Sequence, residues 1–381
     1  MASSTDPAPL QQLEVAVHSA QALWHRLAAS LDTIYKNPST TPTNQHDSKP
    51  IIPLDLARDA ATLVRAHTTK LGLLAVTAPF TPSAVLDVLA QLQSGPVLGL
   101  ASAAEACDPA LYTAFFRKEL AWRCRRVLLV LADLLGTIAT DGAKPPAADN
   151  EDGEGRSSLP ATGKVWAACD EVLALIAGGV GGHFAKRVDE WRDSMGDVTE
   201  ELKEWGEQEP EDDDDDDDDD VASDVAHESN LDTENTTSSN QAMLDELMSS
   251  GRPIPIDDPH GIRPRLDSTL RRLRLVVLLY QAINKRRFKK LPPFPLPDTV
   301  TYKTLPERLD EVARVLGGLP SSFDDLADAF YNMDPVVIDQ DIDECFFAAF
   351  AAGELLSASW DGSQDEFSEW VERFKTGIKK S

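Results

Sequence analysis

The chain has 381 residues, 42% of them hydrophobic and only 7% aromatic, and a formal charge of −28. That length allows two domains with cores of their own, and a mix rich in Ala and Leu but poor in aromatics suits helices. A strongly acidic balance is the reverse of what a nucleic-acid-binding protein carries, so no direct contact with nucleic acid is expected.

The charge is unevenly spread. Residues 197–234 hold 20 acids against one base, Lys203, and include nine consecutive aspartates at 212–220. So dense a run of like charge repels itself and has too few apolar residues to bury. The expected organisation is an N-terminal helical bundle over 1–206, a disordered Asp-rich linker over 207–240 and a C-terminal helical region over 241–381. Residues 1–9 have neither the basic start nor the apolar middle of a signal peptide. Apolar runs such as 127–132 are far short of a membrane span, so no membrane partner is expected. None of the four cysteines, Cys107, Cys124, Cys169 and Cys345, has a CxxC partner, and each falls in an apolar helical pattern. They read as reduced, buried thiols of a nuclear or cytoplasmic protein.

In chain order, Leu10, Leu13, Val17, Ala20, Trp24, Leu27, Leu31 and Ile34 recur at steps of three and four. This spacing predicts a first helix with one apolar face. Asn37-Pro38 ends it, and a Pro/Ser/Thr/Asn loop follows up to Pro53. Set apart by that loop, the helix either completes the protein's own bundle or is offered to a partner. A second helix is expected over 54–78 with Leu56, Ala60, Leu63, Leu71 and Leu74 turned inward. Thr81-Pro82 caps and starts a third, which Gly95-Pro96 must break or kink. Asp108-Pro109 starts a helix with Tyr112, Phe116, Leu120, Val127, Leu131 and Leu134 on one side. After a low-complexity loop at 141–160, Val165, Trp166, Cys169, Val172 and Ile176 mark a helix that the glycine run 178–182 ends. Val188, Trp191, Met195, Val198, Leu202 and Trp205 mark the next.

Beyond the aspartates, 243–248 is a short apolar patch, and Pro253, Pro255, Pro259 and Pro264 keep the chain extended. Leu266, Leu270, Leu273, Val277 and Tyr280 predict a long helix. A stiff proline-rich link at 292–297 follows, then shorter helices over 305–316, 322–331, 341–356 and 364–378. Strand alternation is nowhere sustained. The fold class is all-α: two bundle-like subdomains of long antiparallel helices.

Few residues offer chemistry. The glycine run follows a helix rather than a strand and lacks the Lys-Ser/Thr ending of a phosphate loop, so it reads as a helix stop. Asp339, Asp341 and Asp343 open like a calcium loop, but Glu344 replaces the required Gly and Phe350 the closing Glu; they read as acids at a helix N-terminus. The seven histidines are scattered, and His67 has no metal-binding partner one turn on. No nucleophile elbow is present. No catalytic, metal or cofactor site is expected, and the chain reads as a non-enzymatic scaffold. Trp24, Trp166, Trp191 and Trp205 read as core anchors. One basic patch stands out: Arg271, Arg272, Arg274, Lys285, Arg286, Arg287, Lys289 and Lys290, with Asp267 as the single acid nearby. It is either a solvated helix face or an anion-binding or nuclear-import patch that the aspartate run covers by charge attraction.

Two motifs carry a resemblance. Val165-Trp166-Ala167-Ala168-Cys169 resembles the Val-Trp-x-Ala-Cys signature of the cyclin-D-binding (Grap-and-cyclin-D-interacting) family. Ser322-Phe323-Asp324-Asp325-Leu326-Ala327 is similar to that family's Ser-x-Asp-Asp-Leu-Ala helix start. The order of elements agrees from about Leu54 to the C-terminus. The resemblance implies regulatory binding of D-type cyclins and helix-loop-helix factors, negative control of cell-cycle progression or transcription, and a place in nucleus and cytoplasm. Within the motifs, Trp166 and Cys169 read as core-filling; Ser322 reads as a cap, with Asp324 and Asp325 complementing the helix dipole. Two other classes stay open: an acidic chaperone that holds basic proteins such as histones through the aspartates, and a vinculin-like cytoskeletal bundle.

Overall fold

The computed structural model describes residues 7–41, 52–77, 79–143, 158–208, 253–296 and 302–379. The aspartate run, the rest of the expected linker from 209 on and the apolar patch at 243–248 lie outside them. Every regular element among the described residues is helical. The chain forms two compact units, Met1–Ala185 with Phe288–Ala313, and Lys186–Arg287 with Arg314–Ser381. The sequence reading placed its boundaries around the acid run, whereas these units divide at 185/186, 287/288 and 313/314.

The first unit contains α1 (Pro7–Lys36), α2 (Pro53–Val76), α3 (Pro82–Ser94), α4 (Pro96–Ala106), α5 (Pro109–Tyr112), α6 (Ala114–Ala143) and the start of α7 (Ser158–Gly206). Proline opens α2 through α5, where its missing N–H would have had no intrahelical acceptor. Leu13, Val17, Ala20, Trp24, Ala28 and Leu31 of α1 are buried. The helix lies antiparallel to α6: Gln21 Nε2 donates to the Ala132 carbonyl at 2.8 Å, and Lys118 sits over the Tyr35 ring. Thus α1 completes its own bundle.

The inward face of α2 differs from the expected one. Ala57, Ala60, Ala61, Val64, Thr68, Leu71, Gly72 and Ala75 are buried, while Leu63 is 47% exposed. The small residues let α4 approach: a Cβ built on Gly99 would stand 3.1 Å from that of Ala60. With the backbones this close, a leucine fits only at the edge of the contact.

Gly95 leaves the helical region and Pro96 starts a new helix, as the sequence predicts. The helix expected from Pro109 is not continuous. Thr113, at φ 75°, interrupts it, and α6 begins one residue later. The Asp310 carboxylate accepts from the Ala114 and Phe115 N–H groups at 2.8 Å each, and Thr113 Oγ1 accepts from Phe116 at 3.1 Å. These acceptors satisfy the N–H groups that the interruption leaves free. In α7 the glycine run acts as a break in direction, with Gly179 at φ 58° and ψ −166°. Such a conformation is essentially open to glycine alone.

The second unit contains α7 from Lys186, α8 (Ile262–Arg286), α9 (Leu305–Tyr331) from Arg314, α10 (Pro335–Leu356) and α11 (Glu366–Lys379). Helix α11 runs antiparallel to α8, with Gly377 against Leu275 and Glu366 near Arg286. It is also antiparallel to α10, with Lys379 over the Phe350 ring and Val371 against Gly353. Helices α8 and α10 run parallel, as the contacts Arg265–Asp339 and Arg272–Phe346 require.

The two helices expected at 305–316 and 322–331 are one helix, with Pro320 inside it. Proline cannot donate to the carbonyl four residues back, which belongs to Leu316. The buried Tyr280 hydroxyl donates to that carbonyl instead, at 2.5 Å. Helix α10 begins at Pro335 under an Asp334 cap, not at 341; Asp334 accepts from the Val336 and Val337 N–H groups. The acids at 339–343 therefore lie inside the helix rather than at its start, and Asp339 makes a two-point ion pair with Arg265 at 2.8 and 3.0 Å.

Two helical stretches, Pro82–Ala106 and Ser158–Gly206, are long and apolar enough by length and composition to cross a membrane. The first is interrupted at Gly95, and both bury apolar residues within the units.

Candidate functional site

In the first family-like motif, Val165 and Cys169 are fully buried on α7, but Trp166 is 37% exposed. The expectation that Trp166 fills the core is corrected. Consecutive helical residues point about 100° apart, so burial of Val165 and Cys169 turns Trp166 toward the flank. The four cysteines are buried, and burial pushes each thiol up to about 12. As thiols they pack as small apolar groups.

In the second motif Ser322 is not a cap, because α9 is already helical there; its hydroxyl donates back to the Gly318 carbonyl at 3.4 Å. Leu326 is buried, while Asp324 and Asp325 face solvent. Partial burial, then the neighbouring Asp325, Asp328 and Glu201, raise the Asp324 pKa above the usual carboxylate range. The motif thus supplies a core leucine and an acidic outer face.

The basic patch is not wholly exposed. Arg271, Arg274, Lys285 and Arg286 are exposed on α8, and Arg272 lies 3.8 Å above the Phe346 ring. Lys289 and Lys290 are exposed but belong to the first unit. Arg287 is 1% exposed, so it cannot meet a partner. Its guanidinium donates to both Asp365 oxygens at 2.8 and 2.9 Å and to the Leu356 and Ser357 carbonyls at 2.8 Å. Trp360 Nε1 donates to the Arg287 carbonyl at 2.8 Å, and Phe367 stacks on the guanidinium. The hydrogen bonds from Arg287 hold the Asp365 carboxyl well below the usual range.

Beside this cluster lies a groove of about 520 Å³ between α8 and α11. Its floor includes Leu278, which is 49% exposed, Ala282 and Trp370. Trp370 is stacked between Phe367 and Phe374 at 5.7 Å from each, which fixes its ring plane. Lys285, Arg286 and Arg373 stand on the rim with Glu366 and Glu369. A second apolar hollow on the same unit exposes Phe347 at 75%. Sequence reading missed both, because an exposed Leu or Phe in a helical stripe reads as core. Among the described residues no cluster of three or more His, Cys, Asp or Glu side chains could hold a metal ion.

These features define a class: an all-helical protein whose polar networks knit helices together and which presents apolar side chains in shallow grooves. Residues 57–208 match the family described as Grap2 and cyclin-D-interacting, N-terminal. An uncharacterized protein of Schizosaccharomyces pombe is 25% identical over 281 residues, covering 72% of this chain and 75% of its own length. The family match points to a role in protein interaction.

Proposed function

We propose that the chain is a non-enzymatic interaction scaffold that binds cyclins of the D type or helix-loop-helix factors and through them restrains cell-cycle progression or transcription, in nucleus and cytoplasm. The match of residues 57–208 to the Grap2 and cyclin-D-interacting family carries this reading. The groove beside Trp370 supports it. An apolar floor with a rigid aromatic and a mostly cationic rim suits an amphipathic partner helix whose acids meet Lys285, Arg286 and Arg373.

The test is titration of a purified D-type cyclin, and separately of a helix-loop-helix domain, into the full chain by calorimetry. Saturable binding is expected, weakened at least about tenfold by Trp370→Ala, the size of loss that an aromatic anchor gives. Absence of binding to both proteins overturns the reading. Binding that Trp370→Ala leaves intact moves the interface away from this groove. Nine consecutive aspartates favour a second activity, salt-sensitive retention of lysine-rich proteins such as histones. Removing 212–220 would abolish histone retention while leaving cyclin binding unchanged.

A further inference from the structure

A hollow of about 610 Å³ opens in the first unit where the chain turns at Gly179. Leu54, Ile176, Phe288, Leu291 and Pro293 give it apolar walls. The second limb of α7 starts at its edge. The first N–H groups of a helix have no intrahelical acceptor and carry the positive end of its dipole. A Cβ on Gly182 would meet no atom within 4 Å, so a bound group can reach the main chain there.

An independent observation comes from Tyr112. Its side chain is only 3% exposed and lines the hollow, and among the described residues no group hydrogen-bonds to its hydroxyl. The hydroxyl opens onto the hollow and is free to donate to a group bound there. Burial raises the Tyr112 pKa to about 12, so the hydroxyl keeps its proton and can donate. The two cations lining the hollow are Lys289 and Arg58; the one acid, Asp55, is neutralised by Arg58 at 2.7 Å. The main chain after Gly179, the Tyr112 hydroxyl and Lys289 thus line one space together with the apolar wall. Helix ends of this kind receive oxyanions in many proteins.

We propose that this hollow binds the oxyanion, phosphate or carboxylate, of a small ligand with an apolar body. The oxyanion takes hydrogen bonds from Tyr112 and the start of the helical limb after Gly179, with Lys289 as counter-charge, and the body lies against Phe288 and Leu291. The site is independent of the groove beside Trp370, so either can fail without the other.

The probes are phenyl phosphate, inorganic phosphate and benzoate, followed on the full chain by phosphorus-NMR line broadening and by competition. Phenyl phosphate should bind saturably and more tightly than inorganic phosphate, because only it covers the apolar wall. Tyr112→Phe should weaken it about tenfold, the usual loss for a hydrogen bond to a charged group, with the melting temperature unchanged. Gly182→Asp, at an exposed position, should abolish binding by placing a carboxylate at the mouth. Displacement of phenyl phosphate by benzoate at lower concentrations than by inorganic phosphate would identify a carboxylate as the preferred group. No saturable binding of any probe overturns the proposal, as does unchanged affinity in either variant.

Discussion

Arg287 in the second unit and Arg117 in the first are both nearly sealed from solvent, at 1% and 3% exposure, yet their surroundings differ in kind. Arg287 faces a carboxylate, Asp365, and two main-chain carbonyls. Arg117 has carbonyls only: Pro38 at 3.1 Å, Thr40, Ala104 at 3.4 Å and Glu105 at 3.5 Å. Burial accordingly lowers the Arg117 pKa. A guanidinium stays charged in either setting, because its intrinsic pKa is so high. The first unit therefore solvates a buried cation with peptide dipoles, pinning the chain after α1 to the end of α4. The second neutralises one with a counter-charge, pinning the 356–365 turn to the end of α8. The lesson is that a buried charge marks where a loop is fastened, and that its partner decides how the fastening fails.

The largest effect should come from breaking the charged arrangement on one side only. Asp365→Asn leaves Arg287 buried without its counter-charge, a change that typically costs about 3–5 kcal/mol. The cysteines report which unit gives way, since Cys345 lies in the second unit and Cys107, Cys124 and Cys169 in the first. In a urea series read by alkylation and mass spectrometry, Asp365→Asn should expose Cys345 at clearly lower urea and leave the other three unmoved. Early labelling of all four would mean that the two units unfold as one.

Arg117→Met is the matching break in the first unit. It removes the cation and its desolvation cost together and strands only carbonyls, so we expect a smaller loss, about 2 kcal/mol. The labelling order should reverse, with Cys107 appearing before Cys345. A loss as large as that of Asp365→Asn would show that peptide dipoles hold the cation as firmly as a carboxylate does.

Acid sharpens the same contrast. The folded-state pKa of Asp365 is depressed by its hydrogen bonds with Arg287. The stability it contributes is thus fully present above the unfolded carboxylate value of about 4 and is lost as pH falls through the native value. Because Asp365 is about a third exposed, solvent screens part of this gain. Among the described residues no carboxylate hydrogen-bonds to Arg117, although Glu105 and Asp108 lie near enough to act on its charge. Lowering the pH from about 6 to about 3 should move the urea midpoint of the parent more than that of Asp365→Asn. Equal shifts would assign the acid sensitivity to other carboxylates.

A smaller prediction concerns Pro320. Tyr280→Phe should cost about 1–2 kcal/mol by leaving the Leu316 carbonyl unsatisfied. Adding Pro320→Ala should recover much of that, because an alanine there supplies the N–H that proline lacks. If the double variant is no better than Tyr280→Phe alone, the hydroxyl is not compensating for the proline.

These pairings also explain what was legible in the sequence. Helix existence and the all-α class follow from apolar periodicity, a local signal, and α1 and α8 lie close to where that signal puts them. The break at Gly95-Pro96 is local too. Continuity through Pro320 was not legible, because the compensating hydroxyl comes from Tyr280, on a different helix. The interruption at Thr113 depends on Asp310, nearly two hundred residues away. The inward face of α2 depends on how closely Gly99 lets another helix approach. For the candidate site, the motif around Trp166 was visible and lies within the segment that matches the family, but the exposure of Trp166 and the mid-helix place of Ser322 were not read from the sequence. The Trp370 groove and the Tyr112 hollow require the packed structure, since each joins residues far apart in sequence.

The smallest stability effect expected is also the one that bears most on function. Had Trp166 filled the core, replacing it with alanine would cost about 3–5 kcal/mol, as for buried aromatics generally. At 37% exposure beside the buried Val165 and Cys169, Trp166 carries much less of that load. Trp166→Ala should therefore change stability by under about 1 kcal/mol, within the range of partly exposed positions. A tryptophan left 37% exposed by a helix of the matched segment is then available for contact with a partner, where such side chains dominate binding energy. Calorimetry with a D-type cyclin on the same variant separates the two roles. Weakened binding at unchanged stability makes this face of α7 part of the interface. A destabilisation near that of a core aromatic would return Trp166 to packing.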